Sequence, residues 1–118
     1  MVAIAKFETG VVEALSKTLG DTGSGFTGSE IARLLLESNI EDTQPGITKW
    51  KRLYAAFIHK QNQDKCANNI LAFVKNAMQP ARHCGNEEWF ENTRSYLNRI
   101  LAFTGYSLGQ DGKITVTT

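Results

Sequence analysis

The chain has 118 residues, with 13 Lys and Arg against 12 Asp and Glu, and 42% of its residues are apolar. This length and composition are typical of one soluble globular domain with a sizeable core, which excludes wholesale disorder. The net charge of +1 excludes a uniformly basic nucleic-acid coat and a highly acidic tail. No apolar run reaches the roughly 18 residues that cross a bilayer, so no membrane partner is predicted.

The N-terminus and the cysteines predict a cytoplasmic protein. The sequence starts without a basic segment and soon reaches Lys6 and Glu8, unlike a secretory signal peptide. Its two cysteines, Cys66 and Cys84, make no disulfide framework. We therefore expect both to be reduced and buried as small apolar side chains, as in most cytoplasmic proteins.

Apolar spacing predicts two helices in the first third of the chain. Residues 4–19 place apolar side chains three and four positions apart, which predicts one helix. A stretch with four glycines, 20–29, ends it. Thr27-Gly-Ser-Glu30 is a capping-box pattern, with Thr27 as N-cap and Glu30 reaching back to the Thr27 amide. The second helix follows it and stops near Asn39.

Three more helices are predicted between Thr48 and Gly105. Thr48 is the expected N-cap of the third helix, whose continuous apolar stripe covers residues 50–58. A fourth helix is predicted over about 67–79, where a proline follows. A fifth starts after Asn86 and ends towards Gly105.

The C-terminal end predicts a different element. Asp111-Gly112 lies between two short β-prone runs, which is typical of a hairpin. The predicted fold class is therefore mainly α, a compact bundle of about five helices with a small C-terminal β-hairpin. We expect residues 1–118 to form a single helical domain. The exposed end at Lys113–Thr118 is ready to continue, so this domain could be the N-terminal part of a longer protein.

Positive charge is concentrated in the middle of the sequence. Residues 1–48 carry three Lys and Arg against seven Asp and Glu, and residues 85–118 carry three against four. Residues 49–84 carry seven against one. On the third helix, Lys51, Arg52 and His59 are expected to point away from the apolar stripe, with Lys49 and Lys60 on its flanks. We predict that a basic face of this segment binds a partner, through Lys49, Lys51, Arg52, His59, Lys60, Lys65, Lys75 and Arg82.

The nature of that partner stays open. The basic face could dock an acidic protein surface, or it could neutralise the phosphates of RNA or DNA. The second helix, a turn and the basic third helix are loosely similar to helix-turn-helix readers. However, the connection at 39–48 is longer than usual, and the exposed face of the third helix is expected to lack Asn and Gln for reading adenine. A dimerisation domain is a further alternative.

Arg52 and His59 form a candidate catalytic pair. Their spacing fits the Arg-x(4–6)-His pattern of HEPN-type ribonucleases and places both on one helix face, where they could act as acid and base. Such sites usually carry a polar residue directly after the arginine, whereas Leu53 belongs to the apolar stripe. We therefore predict no enzyme activity for this chain, with the ribonuclease as a less favoured alternative.

Two further patterns are not assigned to a cofactor or a metal. Gly23–Gly28 matches GxGxxG, but it follows a helix rather than the strand that a dinucleotide site requires. We interpret it as a flexible loop whose glycines relieve φ strain. His59, Cys66, His83 and Cys84 lack the paired spacing of zinc ligands. No cofactor and no metal are predicted.

Several separated motifs resemble one bacterial protein family. They are Phe26–Leu35, Pro45–Tyr54, Gln61–Asp64, Ala72–Arg82 and Leu97–Gly105. In this order, between Val11 and Ile114, they resemble the N-terminal region of the Ymh-type hypothetical protein family. Members of that family typically continue into a HEPN-like C-terminal region and occur among mobile-element and phage-defence genes.

The resemblance implies a role rather than a site. It indicates a sensor, regulatory or partner-binding domain beside an effector, as in abortive infection, with the protein's own C-terminal effector region as a candidate partner. Any ribonuclease activity would then lie outside this segment. No functional residues are established for the N-terminal region, so the resemblance transfers none.

Overall fold

Five α-helices and one hairpin make up the described chain, residues 3–117 of this computed structural model. The elements are α1 (Thr9–Leu19), α2 (Gly28–Glu37), α3 (Lys49–Asp64), α4 (Asn68–Ala77), a short 3-10 helix (Pro80–His83), α5 (Glu87–Leu101), β1 (Tyr106–Leu108) and β2 (Ile114–Val116). The two strands pair antiparallel. The predicted helical bundle with a small C-terminal hairpin is confirmed. Among the described residues, no helix is long and apolar enough to cross a membrane.

The core forms around α3. α1 packs against α3 and α5, while α2 and α3 pack against α4. Phe57 of α3 and Phe73 of α4 are fully buried and meet edge to face, with ring centres 5.0 Å apart. Trp50 and Tyr54, on the same predicted stripe, are half-buried at its margin. Leu53 and Phe57 of the stripe therefore lie in the core, while its other large apolar residues, Ile58 among them, are half-buried.

The first helix is shorter than predicted, because it begins at Thr9 rather than at residue 4. The preceding residues form a non-helical segment held by side chains of other elements. The Ile4 amide donates to Asn68 Oδ1 at 2.7 Å, and Phe7 exchanges two hydrogen bonds of 3.0 Å with the side-chain amide of Gln61. Ile4 and Phe7 still pack against the core, so helical spacing arises here without a helix.

Two threonines precede helices, and they behave differently. Thr27 forms the predicted capping box: its hydroxyl accepts from the Glu30 amide at 3.2 Å, and Glu30 Oε1 accepts from the Thr27 amide at 2.8 Å. Thr48 occupies the N-cap position of α3 as predicted, but its side chain makes no capping hydrogen bond. A threonine at an N-cap position therefore does not always form a capping hydrogen bond.

The glycine-rich loop between α1 and α2 is held by hydrogen bonds. Asp21 Oδ2 accepts from the amides of Gly23 and Ser24 at 3.1 and 2.9 Å and from the Ser24 hydroxyl at 3.0 Å. The glycines of this loop have no positive φ. Gly20 instead allows a close approach, since a Cβ there would lie 2.8 Å from the backbone of Trp50. The prediction that these glycines relieve φ strain is wrong.

Candidate functional site

Arg52 does not belong to an exposed basic face. It is only 8% exposed, and its Nε and Nη2 donate to the Asp42 carboxylate at 3.1 and 2.6 Å. Its Nη1 donates to the carbonyl oxygen of Gly28 at 3.2 Å. The side-chain hydrogen bond to Asp42 raises the pKa of Arg52, so the guanidinium stays charged. The prediction that Arg52 points away from the core is wrong.

Lys49 ties the start of α3 to the loop before α2. Its Nζ donates to the carbonyl oxygens of Asp21 and Phe26 at 3.1 and 2.9 Å. Because these oxygens accept two of the three ammonium hydrogens, the side chain has a fixed position within the domain. Lys49 therefore holds two parts of the domain together, although the sequence predicted that it would bind a partner.

Two more members of the predicted basic face form ion pairs. Lys60 pairs with Asp64 one turn later on α3, at 3.0 Å. Arg82, in the 3-10 helix, pairs with Glu37 at the end of α2, at 2.6 Å. Asp64 is already counted in the charge balance of residues 49–84, but Glu37 lies outside that segment, so the positive field that a partner would meet is weaker than the balance indicates.

Four of the eight predicted residues are exposed, and their side chains make no hydrogen bond or ion pair among residues 3–117: Lys51, His59, Lys65 and Lys75. They lie on different elements. Lys51 and His59 are on α3, Lys75 is on α4, and Lys65 is the left-handed C-cap of α3, with φ 61°. The structure thus reduces the predicted face to exposed side chains on separate elements, and their binding of a partner stays a prediction.

Arg52 and His59 are not brought together as an acid–base pair. Arg52 has its donors directed to Asp42 and Gly28, whereas His59 is exposed.

The exposed face of α3 does carry Asn and Gln. The helix continues to Asp64, so Asn62 and Gln63 are exposed on its last turn. The expectation that the exposed face of this helix lacks Asn and Gln is therefore wrong.

The four residues weighed as a zinc set have separate environments. His83 Nε2 lies 2.7 Å from the carbonyl oxygen of Ala77, within hydrogen-bond distance. Cys66 is half-buried and Cys84 is exposed, so the prediction that both thiols are buried is wrong for Cys84. Across residues 3–117, no group of three or more His, Cys, Asp or Glu side chains could hold a metal ion.

The hairpin has one edge covered by α5. The Leu108 amide donates to Asn98 Oδ1 at 2.7 Å, and its carbonyl oxygen accepts from Asn98 Nδ2 and Arg94 Nη1, both at 3.0 Å. Arg94 also pairs with Glu91 at 2.8 Å, and its hydrogen bond holds the pKa of Glu91 below the usual range. The outward backbone groups of Leu108 in β1 are thereby satisfied from within the domain.

The other edge of the hairpin, along β2, is open. The Thr117 amide donates to the Gly105 carbonyl oxygen at 2.7 Å, so these two residues form a hydrogen-bonded pair of the antiparallel ladder. Because hydrogen-bonded residues alternate along an antiparallel pair, Ile114 and Val116 direct their N–H and C=O groups away from β1. Within the described part of the chain these groups have no hydrogen-bond partner.

Apolar side chains are exposed at the same end of the molecule. Phe103, in the turn after α5, is 85% exposed, and Val116 is 66% exposed. Val116 stands opposite Tyr106, and Phe103 and Tyr106 both border a groove of about 420 Å³ whose other apolar walls include Ile4 and Val11. Exposed apolar side chains beside a groove are typical of interaction sites. We call Phe103, Tyr106, Ile114 and Val116 the hairpin-end surface.

Sequence reasoning did not identify the hairpin-end surface. One available signal was Ile114-Thr115-Val116, a strand with apolar residues at both ends, where a solvated edge would carry charge or proline. A second was Phe103, an aromatic residue beyond the last apolar position of the fifth helix. Neither signal tells which edge of the hairpin α5 covers, since that depends on the Asn98 contact.

Comparison with protein-family models, with curated proteins and with solved structures gives no match for this chain. The resemblance to the Ymh-type family therefore stays a prediction.

Proposed function

We propose that this chain is a non-catalytic interaction domain whose hairpin-end surface pairs with the same surface of a second copy. The main support is the open edge of β2, where Ile114 and Val116 present unpaired backbone groups. Such an edge is a template for another strand. Because β2 is short, we expect pairing to depend also on burial of the exposed side chains of Phe103 and Val116.

A second copy fits this edge because the edge is self-complementary. Two β2 strands laid antiparallel about Thr115 place Ile114 of one copy opposite the partner's Val116, and the outward N–H and C=O groups of each such pair exchange hydrogen bonds. A two-fold axis at Thr115 then closes the assembly, as in other isologous interfaces. The two hairpins become one continuous sheet.

The expected affinity is moderate. Each hydrogen bond exchanged across the edge contributes about 0.5–1.5 kcal/mol, and burial of one large apolar side chain contributes about 1.5–3 kcal/mol. Association also costs translational and rotational freedom, which offsets part of this gain. We therefore expect a concentration-dependent equilibrium between monomer and dimer rather than a permanent dimer.

Catalysis is outside the proposal because Arg52, one member of the candidate acid–base pair, is bound to Asp42. The resemblance to the Ymh-type family adds the wider role: a sensor or regulatory half of a bacterial defence-type protein, whose C-terminal effector region would be brought together by the dimer. Lys51, His59, Lys65 and Lys75 are the exposed residues of the predicted face left to contact an acidic part of such a region.

Sedimentation velocity over a range of protein concentrations tests the pairing. We expect the average mass to rise with concentration towards twice that of the monomer. Phe103→Ser should shift this rise to higher concentration, since it removes an apolar side chain from the hairpin-end surface. Leu36→Ser is the matched control, because Leu36 is 77% exposed on α2, outside that surface. A constant monomer mass, or equal effects of the two variants, would contradict the proposal.

A backbone variant tests the edge itself. Val116→Pro removes the outward amide of β2, while the bond from the Thr117 amide to Gly105 stays available. We expect this variant to remain folded by circular dichroism and to lose association. Association of a folded Val116→Pro protein with unchanged affinity would show that the copies meet elsewhere.

A further inference from the structure

A second cavity, separate from the hairpin-end surface, lies between the end of α1, the glycine-rich loop and α5. Its volume is about 480 Å³, within the range of small-molecule sites. α5 contributes two aromatic residues, Trp89 and Tyr96, which are seven positions apart and so share one helix face. Seven residues of helix span about 10 Å, so the two rings border opposite ends of one cleft.

The first ring is held in place. The indole Nε1 of Trp89 donates to the carbonyl oxygen of Ser24 at 2.6 Å. Phe26 packs edge to face against the indole at 5.6 Å, and His83 lies 4.7 Å from it at a tilt of 35°. Contacts on several sides fix the orientation of Trp89 before any ligand arrives, which lowers the entropy lost on binding.

The second ring is exposed. Tyr96 is 60% exposed, and the guanidinium carbon of Arg99 lies 5.4 Å from its ring centre. Between the rings, Asn92 and Thr93 line the same cleft, and their side chains have no hydrogen-bond partner within residues 3–117. An amide and a hydroxyl are thus available to a ligand that lies across two aromatic rings.

The charges at the cleft disfavour an anionic ligand. Lys17 and Asp21 line the opposite wall, and the Lys17 ammonium is paired with Glu13 at 3.1 Å. Hydrogen bonds from the amide and hydroxyl of Ser24 lower the pKa of Asp21, so its carboxylate is ionised at neutral pH. α1 ends here, and the carbonyl end of a helix carries partial negative charge. Among these lining residues a phosphate would find Lys17 already paired with Glu13, and Arg99, which is not a lining residue, lies against the Tyr96 ring.

We propose that this cleft binds an uncharged, hydroxyl-rich ring ligand, a neutral oligosaccharide of about two sugar units. The apolar C–H faces of the sugar rings would stack on Trp89 and Tyr96. Their hydroxyl groups would bond to Asn92, Thr93 and the Asp21 carboxylate. This inference is independent of the dimer, because the cleft and the hairpin-end surface share no lining residue.

Tryptophan fluorescence tests the inference with defined probes. The chain has two tryptophans, so a Trp50→Phe background leaves Trp89 as the reporter. The probes are maltose, cellobiose and N,N′-diacetylchitobiose, with adenosine and spermidine as an aromatic and a cationic comparison. We expect at least one disaccharide to change the emission saturably, and more tightly than either comparison probe.

Two variants test whether the fluorescence change arises from binding in the cleft. Tyr96→Ala should weaken disaccharide binding about tenfold, as loss of one stacking ring does, without unfolding, because the side chain is largely exposed. Phe103→Ala, an exposed aromatic residue outside the cleft, should bind as the background does. The inference is overturned if no disaccharide saturates the signal, if adenosine or spermidine binds more tightly, or if Tyr96→Ala and Phe103→Ala bind equally. Sedimentation tests the dimer separately.

Discussion

Arg52 shows how far a single residue's role depends on partners that are distant in sequence. Its position beside Lys51 in a basic helix indicates an exposed cation, but burial and Asp42 make it part of the internal structure. The sequence is sufficient to predict the charge of Arg52. It is not sufficient to predict where the Arg52 side chain points, because that depends on how the turn before α3 folds back against α2.

Asp42→Ala is therefore expected to destabilise the domain. Removing the carboxylate leaves the largely buried guanidinium of Arg52 without its charged partner, and we expect the free energy of unfolding to fall by about 2 kcal/mol. Glu13→Ala, at the exposed pair with Lys17, is the control and should cost less than about 0.5 kcal/mol. Urea unfolding measures both. Equal losses would contradict the structural role of Arg52.

Asp21 gives a prediction about pH. The amide and hydroxyl of Ser24 and the amide of Gly23 bond to its carboxylate and lower its pKa below the ordinary value of about 3.9. A lowered folded-state pKa means that the loop contacts are fully present above that ordinary value and are lost as the pH falls through the lowered one. Amide chemical shifts of Gly23 and Ser24 should titrate with that low midpoint. A midpoint at or above the ordinary value would contradict the contacts.

At the scale of elements, helix starts depend on whether a cap is formed. Thr27→Ala removes the hydroxyl that accepts from the Glu30 amide, while the Thr27 amide can still donate to Glu30 Oε1, and the variant is expected to cost about 1 kcal/mol of stability. Thr48→Ala makes the same chemical change before α3, where no capping bond exists, and should cost clearly less. Thermal or urea unfolding of the two variants compares them directly. A larger loss for Thr48→Ala would contradict the assigned caps.

Element type was predictable, and some boundaries were not. The stripe of α3 and the capping box of α2 specify helices locally, because their contacts lie within a few residues. The segment before Thr9 has helical spacing too, yet Gln61 and Asn68 bind its backbone in a non-helical conformation. Those contacts join residues far apart in sequence, so periodicity alone could not exclude the longer helix.

For the whole molecule, the arrangement of charged side chains differs most from what the sequence predicted. The excess of positive charge in residues 49–84 is partly neutralised by Asp42 and Glu37, which belong to the acidic first segment. Segment charges could therefore be counted from sequence, but the basic face could not be derived from them. The hairpin-end surface was missed for a similar reason, since the covering of one edge by α5 is a long-range contact.

The same result predicts weak nucleic-acid binding. If the four exposed basic residues Lys51, His59, Lys65 and Lys75 all contacted phosphates, the slope of log affinity against log salt would be no steeper than about −4. We expect no measurable binding of short RNA or DNA at physiological salt. Fluorescence anisotropy at two salt concentrations tests this, with Lys51→Glu/Lys75→Glu as the control, because Arg52 variants would also change folding. Tight binding that this double variant abolishes would contradict the expectation.

Amide hydrogen exchange, measured at low and at high protein concentration, tests whether two copies pair through β2. If two copies pair through β2, the outward amides of Ile114 and Val116 gain protection as concentration rises. The Thr117 amide, bonded to Gly105 within one copy, serves as the internal reference and should change little. Unchanged exchange of Ile114 and Val116 at concentrations where the protein associates, or no association at all, would contradict the proposed interface.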